Sequence, residues 1–415
     1  MILSKNPSGF LGALRDGRAF LWATILTAFC IPVVKNGIQF PIILLFITWA
    51  FAPKPIFRKN FIPILIFVSI YIMHLVGMLY TENLNRGFAD LEQKLSLFLF
   101  PVLFGSVQGF TSTQYRRVFW AFAAGMLVAV ILSYASSIVN YRISSDILDF
   151  FMSGFSPVHH PSYISMYINF IVFFILIELY KGRIQPRWRI ALWMIVLFFI
   201  ISLLFSASKA GYINFIFLVG AVIMFAFFQK KFFTKTTAIF TSIVLIFFVG
   251  FFIHPLTNDQ ITQAAEAVAG SSTAGEIESS RARMIAWEIA VDEIKLNPFG
   301  VGTGDINDTM VRRFEQDGYP VLAATGLNPH NNFLQIGLAL GIPALLIFIF
   351  SLSYPLGRIW RHKNWLYFFF LITIALHFLV ESMLEKQSGV IFFAFFNAVL
   401  FFSYSPESRQ IKTLS

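Results

Sequence analysis

The sequence predicts an all-α integral membrane protein with about 12 transmembrane helices and one large loop outside the membrane. Hydrophobic residues make up 57% of its 415 residues and charged residues only 13%, whereas about a quarter of the residues in a soluble protein are charged. The mean hydropathy is +0.73, and the apolar runs lack the alternation of β-strands. Since a spanning segment must satisfy its own backbone hydrogen bonds, these runs are expected to be helices.

Twelve apolar segments approach the roughly 20 residues that a membrane span requires. They lie near 19–34, 37–52, 61–80, 95–108, 118–139, 161–180, 188–205, 209–228, 236–254, 331–352, 364–380 and 387–403. We therefore predict three parts: nine transmembrane helices in residues 1–254, a polar loop in 255–329, and three further transmembrane helices in 330–415.

The positions of the basic residues predict the orientation of the chain. When its ends and loops are assigned alternately, starting inside, 20 of the 31 Lys and Arg residues fall inside. Basic residues accumulate in cytoplasmic loops, so both termini are expected in the cytoplasm and the 255–329 loop on the outer side. The net charge of +10 then reflects topology, and no nucleic-acid partner is expected. With Cys30 as the single cysteine, no disulfide framework is predicted.

The 255–329 loop is the one long polar stretch and contains 11 of the chain's 21 acidic residues. Its residues near 280–297 predict an amphipathic helix. Ser279 or Ser280 can cap the start of this helix, and Pro298 ends it.

Arg283 is expected on the face of this helix that docks against the membrane part. It shares a stripe with Trp287, Ala290 and Ile294 at the i, i+4, i+7, i+11 spacing of an α-helix. Arg281 falls on the opposite face, where neighbouring acidic residues explain its charge.

A guanidinium on a docking face requires an anionic partner. The N–H groups at the start of the helix would bind the same anion, so we predict that Arg283 binds an anionic substrate. The alternative is a structural ion pair with an acidic residue of the outer side, such as Glu381 or Glu385.

His330 marks the point at which the loop meets the tenth predicted span. Asn328 would cap that span, and Pro329 suits its first turn. Gly337 and Gly341 would follow His330 on one helix face and leave a groove beneath the imidazole. Imidazole is a common general base near neutral pH, and we predict that role for His330. The alternatives are an interfacial histidine and glycines that serve helix packing.

Lys209 lies within the segment 206–211, where two predicted spans turn on the outer side. It is either a second cation for the same anion or a lysine that simply ends a span. His159 and His160 precede the sixth span and would bind a metal only together with an acidic residue.

The sequence lacks several features of other membrane proteins. No Asp, Lys or Arg falls in the middle of a predicted span, as an ion-coupled transporter would usually require. No P-loop, dinucleotide fingerprint or metal-ligand cluster is found either. We therefore expect no metal and no other cofactor, and the energy for a reaction must come with the substrate.

Three short patterns follow one another on the predicted outer side: Lys209 in the segment 206–211, Arg283 and the glycine-rich turn in 283–304, and His330-Asn331 followed by Gly341. Together they resemble the O-antigen ligase and polymerase superfamily of bacterial envelope glycosyltransferases, and are most like O-antigen ligase. The family usually has an arginine at the position of Lys209. The lysine keeps the positive charge of that arginine but lacks its bidentate hydrogen-bonding geometry.

The resemblance implies a metal-independent inverting glycosyltransferase of lipopolysaccharide biosynthesis, in the bacterial inner membrane with its active site facing the periplasm. The donor would be a glycan on undecaprenyl pyrophosphate, and the acceptor the lipid A core oligosaccharide. His330 and Arg283 would be catalytic. The diphosphate would be bound by Arg283, Lys209 and Arg281. Supporting residues would be Asn331, Gly341 and Trp287.

Two other functions remain open. An O-antigen or exopolysaccharide polymerase, or a protein O-oligosaccharyltransferase, would use the same donor and differ in its acceptor. A lipid-linked glycan flippase or another transporter would not be an enzyme, and the lack of Asp, Lys and Arg in the middle of the spans argues against it.

Overall fold

The computed structural model describes residues 12, 16–228, 234–253 and 279–403. These residues form helices and connecting turns without a β-strand, which confirms the predicted all-α class. Residues 255–278, the first part of the predicted loop, lie outside the described residues.

The helices of the described residues follow one another along the chain without an intervening sheet. In chain order they are α1 (Arg18–Val33), α2 (Gln39–Phe51), α3 (Phe61–Gly77), α4 (Leu84–Lys94), α5 (Ser96–Ser106), α6 (Ser112–Ser144), α7 (Met152–Phe155), α8 (Pro161–Tyr180), α9 (Pro186–Ser206), α10 (Lys209–Phe228), α11 (Lys235–Ile253), α12 (Ser279–Leu296), α13 (Ile306–Gln316), α14 (Pro320–Thr325), α15 (Asn332–Ser353), α16 (Leu356–His362), α17 (Trp365–Val380) and α18 (Gln387–Phe402). Each predicted span overlaps one of them, and α12 is the predicted amphipathic helix.

The helices are those of a membrane protein. Six stretches of the described chain are long and apolar enough to cross a membrane, namely α6, α8, α9, α10, α11 and the stretch from α15 through α16. Shorter apolar helices are α1, α2, α3, α17 and α18, and α5 is an apolar helix of 11 residues. The figure of about 12 spans and the periplasmic position of the loop stay predictions.

Helix α8 forms the centre of the bundle. All of its residues are buried, as expected for a helix that is apolar on every face. It packs against α9, α10 and α17, so their ends are fixed relative to one another. Five helices of the described chain that no apolar run predicts, α4, α7, α13, α14 and α16, are short, and α4, α13 and α14 lie on the same side as α12.

The glycine-rich turn after α12 packs into a break in α15. At Gly341 the backbone has φ +81°, a conformation that L-residues rarely adopt. The broken helix frees backbone groups, and three backbone hydrogen bonds join the turn to it: Val301 N–H to Leu338 C=O (2.9 Å), Gly302 N–H to Ala339 C=O (3.0 Å) and Ile342 N–H to Pro298 C=O (2.9 Å). The end of α12 is thereby held against the first half of α15.

The groove predicted beneath His330 is occupied by a helix and its following turn, as the alternative of glycines that serve helix packing expects. A Cβ on Gly337 would lie 2.9 Å from the Ile294 side chain of α12, and a Cβ on Gly341 would lie 2.4 Å from the Phe299 backbone. The two glycines allow the close approach of α12 and its following turn, because any larger residue would collide with them.

We expect Gly341→Ala to lower the thermal unfolding temperature of the protein purified in detergent. The positive φ alone costs a residue with a Cβ about 1–3 kcal/mol, and the added carbon meets backbone that is itself hydrogen-bonded. Gly220→Ala in α10 is the matched control, because nothing lies within 4 Å of a Cβ there and alanine favours helix. Equal unfolding temperatures for the two variants would show that the close approach at Gly341 does not stabilise the fold.

Candidate functional site

Glu381, directly after α17, joins the two residues at the centre of the predicted site. Its Oε1 lies 3.4 Å from Arg283 Nη2, and its Oε2 lies 3.2 Å from His330 Nδ1. The side chain of Glu381 is 12% exposed, and those of Arg283 and His330 are 29% exposed. Three separate segments therefore meet at one largely buried carboxylate.

Arg283 forms an ion pair with Glu381, one of the two acidic residues that the sequence analysis named as possible structural partners. The pairing does not separate Arg283 from His330, because both contact the same carboxylate. Among the described residues Arg283 makes this one side-chain hydrogen bond, at 3.4 Å. Since a guanidinium has five N–H groups, most of its donors remain available to a second anion.

The surrounding charges fix the ionisation of Glu381. Burial opposes its ionisation, but the hydrogen bond with His330 and the positive charge of Arg283 outweigh burial and keep the pKa of Glu381 below its usual value. Glu381 is therefore a carboxylate at neutral pH and accepts the proton of His330 Nδ1–H. This tautomer leaves the lone pair on His330 Nε2, where a general base needs it.

A turn before α15 holds His330, and the helix itself does not include it. His330 has φ +45°, and its backbone N–H donates to Asn328 Oδ1 at 2.9 Å. The side chain of Asn331 caps α15 by accepting hydrogen bonds from two N–H groups of its first turn. The predicted cap at Asn328 with Pro329 in the first helical turn is wrong, because a left-handed residue ends the extended segment before the helix begins.

Trp287 holds the same turn from α12. Its indole Nε1–H donates to the carbonyl oxygen of Pro329 at 2.6 Å. The face of α12 that docks on α15 includes the fully buried Ala286 and Ala290, and Arg283 and Trp287 line its edge. The predicted stripe therefore does lie against the membrane part.

The opposite face of α12 is solvated. Glu288, Asp292 and Lys295 are exposed, and Lys295 Nζ lies 2.8 Å from Asp292 Oδ1. Arg281, at the start of the helix, is half-buried. Its role at a diphosphate stays a prediction.

Lys209 is half-buried at the start of α10, which is anchored to α8. A Cβ on Gly211 would lie 2.4 Å from Ser165 of α8, and Asn169 Nδ2 donates to the Gly211 carbonyl oxygen at 3.1 Å. Because α8 begins directly after His160, Lys209 lies at the end of the bundle that holds His160. Its contact with a diphosphate stays a prediction.

His160 belongs to the electrostatic surroundings of Glu381, which the sequence interpretation missed. Burial lowers the pKa of His160, while the charges of Glu381 and Arg283 act on it in opposite directions. His159 is turned elsewhere, with Nδ1 2.9 Å from Ser388 Oγ. In the part of the chain that the structure describes, no group of three or more His, Cys, Asp and Glu residues forms a metal-ligand set.

We expect Glu381→Gln to lower the thermal stability at neutral pH, because a neutral amide cannot balance the charge of Arg283. The pKa of Glu381 is lowered in the folded state, so its stabilising contribution is present above the unfolded pKa of about 4 and is lost as the pH falls through the folded pKa. The unfolding temperatures of the variant and the wild type should therefore converge between about pH 7 and about pH 3.

Glu288→Gln is the control for this experiment, since Glu288 is exposed on α12. It should follow the wild type at every pH. A difference between Glu381→Gln and the wild type that stays constant across the range would show that the charge of Glu381 is not what stabilises the fold.

A comparison with known families covers part of this arrangement. Residues 193–349 match the O-Antigen ligase family, and this segment contains Lys209, Arg283 and His330 but neither Glu381 nor His160. No curated protein sequence matches the chain significantly. The family match supports a function of the ligase or polymerase type. It confirms the predicted resemblance to the O-antigen ligase superfamily for the part of the chain that it covers, residues 193–349.

Proposed function

We propose that the protein is a metal-independent inverting glycosyltransferase that moves a glycan from undecaprenyl pyrophosphate to the lipid A core oligosaccharide, on the periplasmic side of the inner membrane. The observation that carries this proposal is the meeting of Arg283 and His330 at Glu381. Transfer from a lipid diphosphate requires a cation for the leaving anion and a base for the attacking hydroxyl. Both groups are held by this one carboxylate.

Arg283, with Lys209 and Arg281, binds the diphosphate of the donor. As the bond between the anomeric carbon and the diphosphate oxygen breaks, negative charge develops on the leaving oxygen, and a guanidinium stabilises it through two parallel hydrogen bonds. The contact of Arg283 with Glu381 is single and 3.4 Å long, so it competes only weakly with such a pair. The start of α12 adds the positive end of its helix dipole.

His330 accepts the proton of the acceptor hydroxyl at Nε2. The hydroxyl oxygen forms its bond to the anomeric carbon on the face opposite the diphosphate, so the anomeric configuration inverts. The imidazolium that results is stabilised by Glu381, which lies 3.2 Å from Nδ1. A positioned general base typically contributes about 10² to 10⁴ in rate.

Reconstitution is the experiment that tests this function. The purified protein is incorporated into vesicles with an undecaprenyl-pyrophosphate glycan and one of three acceptors: lipid A core, a second molecule of donor, or a pilin-like protein. Glycan on lipid A core supports a ligase. Glycan only on the second donor or only on protein would replace the ligase with a polymerase or a protein O-oligosaccharyltransferase.

Arg283→Ala and His330→Ala should each reduce glycan transfer by about 10²-fold or more, because each removes one of the two required groups. Transfer is measured per molecule of protein inserted in the vesicles. Arg312→Ala is the control, since Arg312 is an exposed arginine of α13 outside the site. A fully active Arg283→Ala protein would remove the anion site from the proposal.

Lys209→Arg should keep most of the activity, because it preserves the positive charge and restores the residue usual in the family. Lys209→Met keeps the length of the side chain and removes the charge, so it should weaken the binding of the donor and raise its KM. Donor titrations of the two variants distinguish these effects. Near-complete loss in Lys209→Arg would show that the geometry of the ammonium group matters beyond its charge.

A further inference from the structure

A second polar feature borders on His330. A cavity of about 350 Å³ opens between α4, α13 and the start of α15, and its wall includes Arg86, Gln93, Asn307, Asn328, Gln335 and Lys386. Asn328 is the residue whose side chain holds the backbone N–H of His330. The cavity therefore adjoins the turn that carries the proposed base through Asn328, and its described lining includes neither Arg283 nor the His330 side chain.

Gln335 lies in this wall with unused hydrogen-bonding capacity. The residue is 4% exposed, and its Oε1 has no hydrogen-bond partner among the described residues. Asp90 is also in the wall, and its buried Oδ2 likewise has no hydrogen-bond partner among the described residues. Buried acceptors without a donor are unfavourable and rare in folded proteins, so two of them at one cavity mark a place where donors from a bound molecule would be favourable.

The charged residues around the cavity largely neutralise one another. Arg86 Nη1 lies 3.0 Å from Asp308 Oδ1. Lys94 is buried, binds Asp90, and places its Nζ 2.7 Å from Glu385 Oε1. Among the side-chain amides of the wall, Asn307 is engaged by Arg86 and the Gly326 carbonyl oxygen, and Asn328 Oδ1 accepts from His330. The chemistry that remains is that of the amides of Gln93 and Gln335 and the N–H groups of Asn328.

Amides match the hydroxyl groups of a sugar. Each amide offers both hydrogen-bond donors and acceptors, and each hydroxyl group does the same. The volume of about 350 Å³ falls within the roughly 300–1,000 Å³ of small-molecule sites. A sugar ring therefore fits the cavity in both polarity and size.

We propose that this cavity binds a sugar ring of the acceptor and directs its attacking hydroxyl toward His330. The inference rests on the proposed glycosyl transfer. Between the two sugars of that reaction, the acceptor is favoured because the base must face the acceptor hydroxyl, whereas the donor sugar follows the diphosphate to Arg283.

The test is Gln335→Leu in the reconstituted protein with the lipid-linked donor and lipid A core. Leucine is similar in size and lacks the amide, so the KM for the acceptor should rise about tenfold while the KM for the donor stays unchanged. Because Gln335 Oε1 has no protein partner among the described residues, the unfolding temperature should not fall. Gln93→Leu, on the opposite side of the cavity, should have the same kinetic effect.

Asn397→Leu is the matched control. Asn397 is also a buried amide, but its Oδ1 accepts a hydrogen bond from the Tyr367 hydroxyl at 2.6 Å. Its loss should lower the unfolding temperature and leave the acceptor KM unchanged. This is the reverse of the result expected for Gln335→Leu, so a general effect of losing a buried amide is distinguished from loss of a sugar contact.

Two results would overturn the inference: unchanged KM values for both substrates, or a rise confined to the KM for the donor.

If the wild type transfers no glycan to any acceptor, the proposed function fails and a binding experiment tests the inference separately. Free core oligosaccharide is then titrated against the wild type and Gln335→Leu by calorimetry. Weaker binding to the variant supports the cavity as a sugar site, and equal binding, or none to either protein, rejects it.

Discussion

Glu381 is the point at which three distant segments of the chain meet. A largely buried carboxylate is unfavourable without partners, and the guanidinium of Arg283 and the imidazole of His330 offset this cost through different oxygens. Removing Glu381 would leave both of the others without this partner, and removing either of them would leave the carboxylate with a single one in a poorly hydrated place. The interaction therefore joins a membrane helix, an amphipathic helix and a turn into one structure, and the geometry of the site depends on it.

The backbone of α15 supports this interaction from a second side. The break at Gly341 accepts the turn after α12, so α12 is held at its C-terminal end by backbone hydrogen bonds. Near its other end α12 is held by Arg283 and by the hydrogen bond from Trp287 to the turn before His330. The glycine-rich pattern and the arginine–tryptophan pattern are thus parts of one arrangement. The glycine-rich turn fixes the position of α12, and Arg283 and Trp287 on α12 then hold the turn that carries His330.

The sequence predicted those features that depend on neighbouring residues along the chain. Apolar runs marked the helices, and the 3.6-residue period of α12 placed Arg283 on the docking face. Glu381 was named only as a possible structural partner, because its role depends on a contact between residues 98 positions apart and nothing local distinguishes it from Glu385. The occupant of the groove at the two glycines could not be predicted for a related reason. The spacing of Gly337 and Gly341 is the same whether the approaching partner is lipid or protein, and a helical period says nothing about a break at Gly341.

The segment from Glu381 to Lys386 connects the two polar regions at this end of the bundle. Glu381 contacts Arg283 and His330, while Glu385 contacts Lys94 at the wall of the cavity. The turn between them is fixed to α15, because the Leu384 N–H donates to Asn332 Oδ1 at 2.9 Å.

In the proposed reaction Glu381 would couple the two substrates. A diphosphate that draws Arg283 away leaves Glu381 with one positive neighbour fewer, and the carboxylate then binds the His330 proton more strongly. On this mechanism the donor prepares the base by the same contact through which it binds. In the proposed reaction the acceptor, in the cavity on the other side of the turn, would meet His330 with the donor already in place.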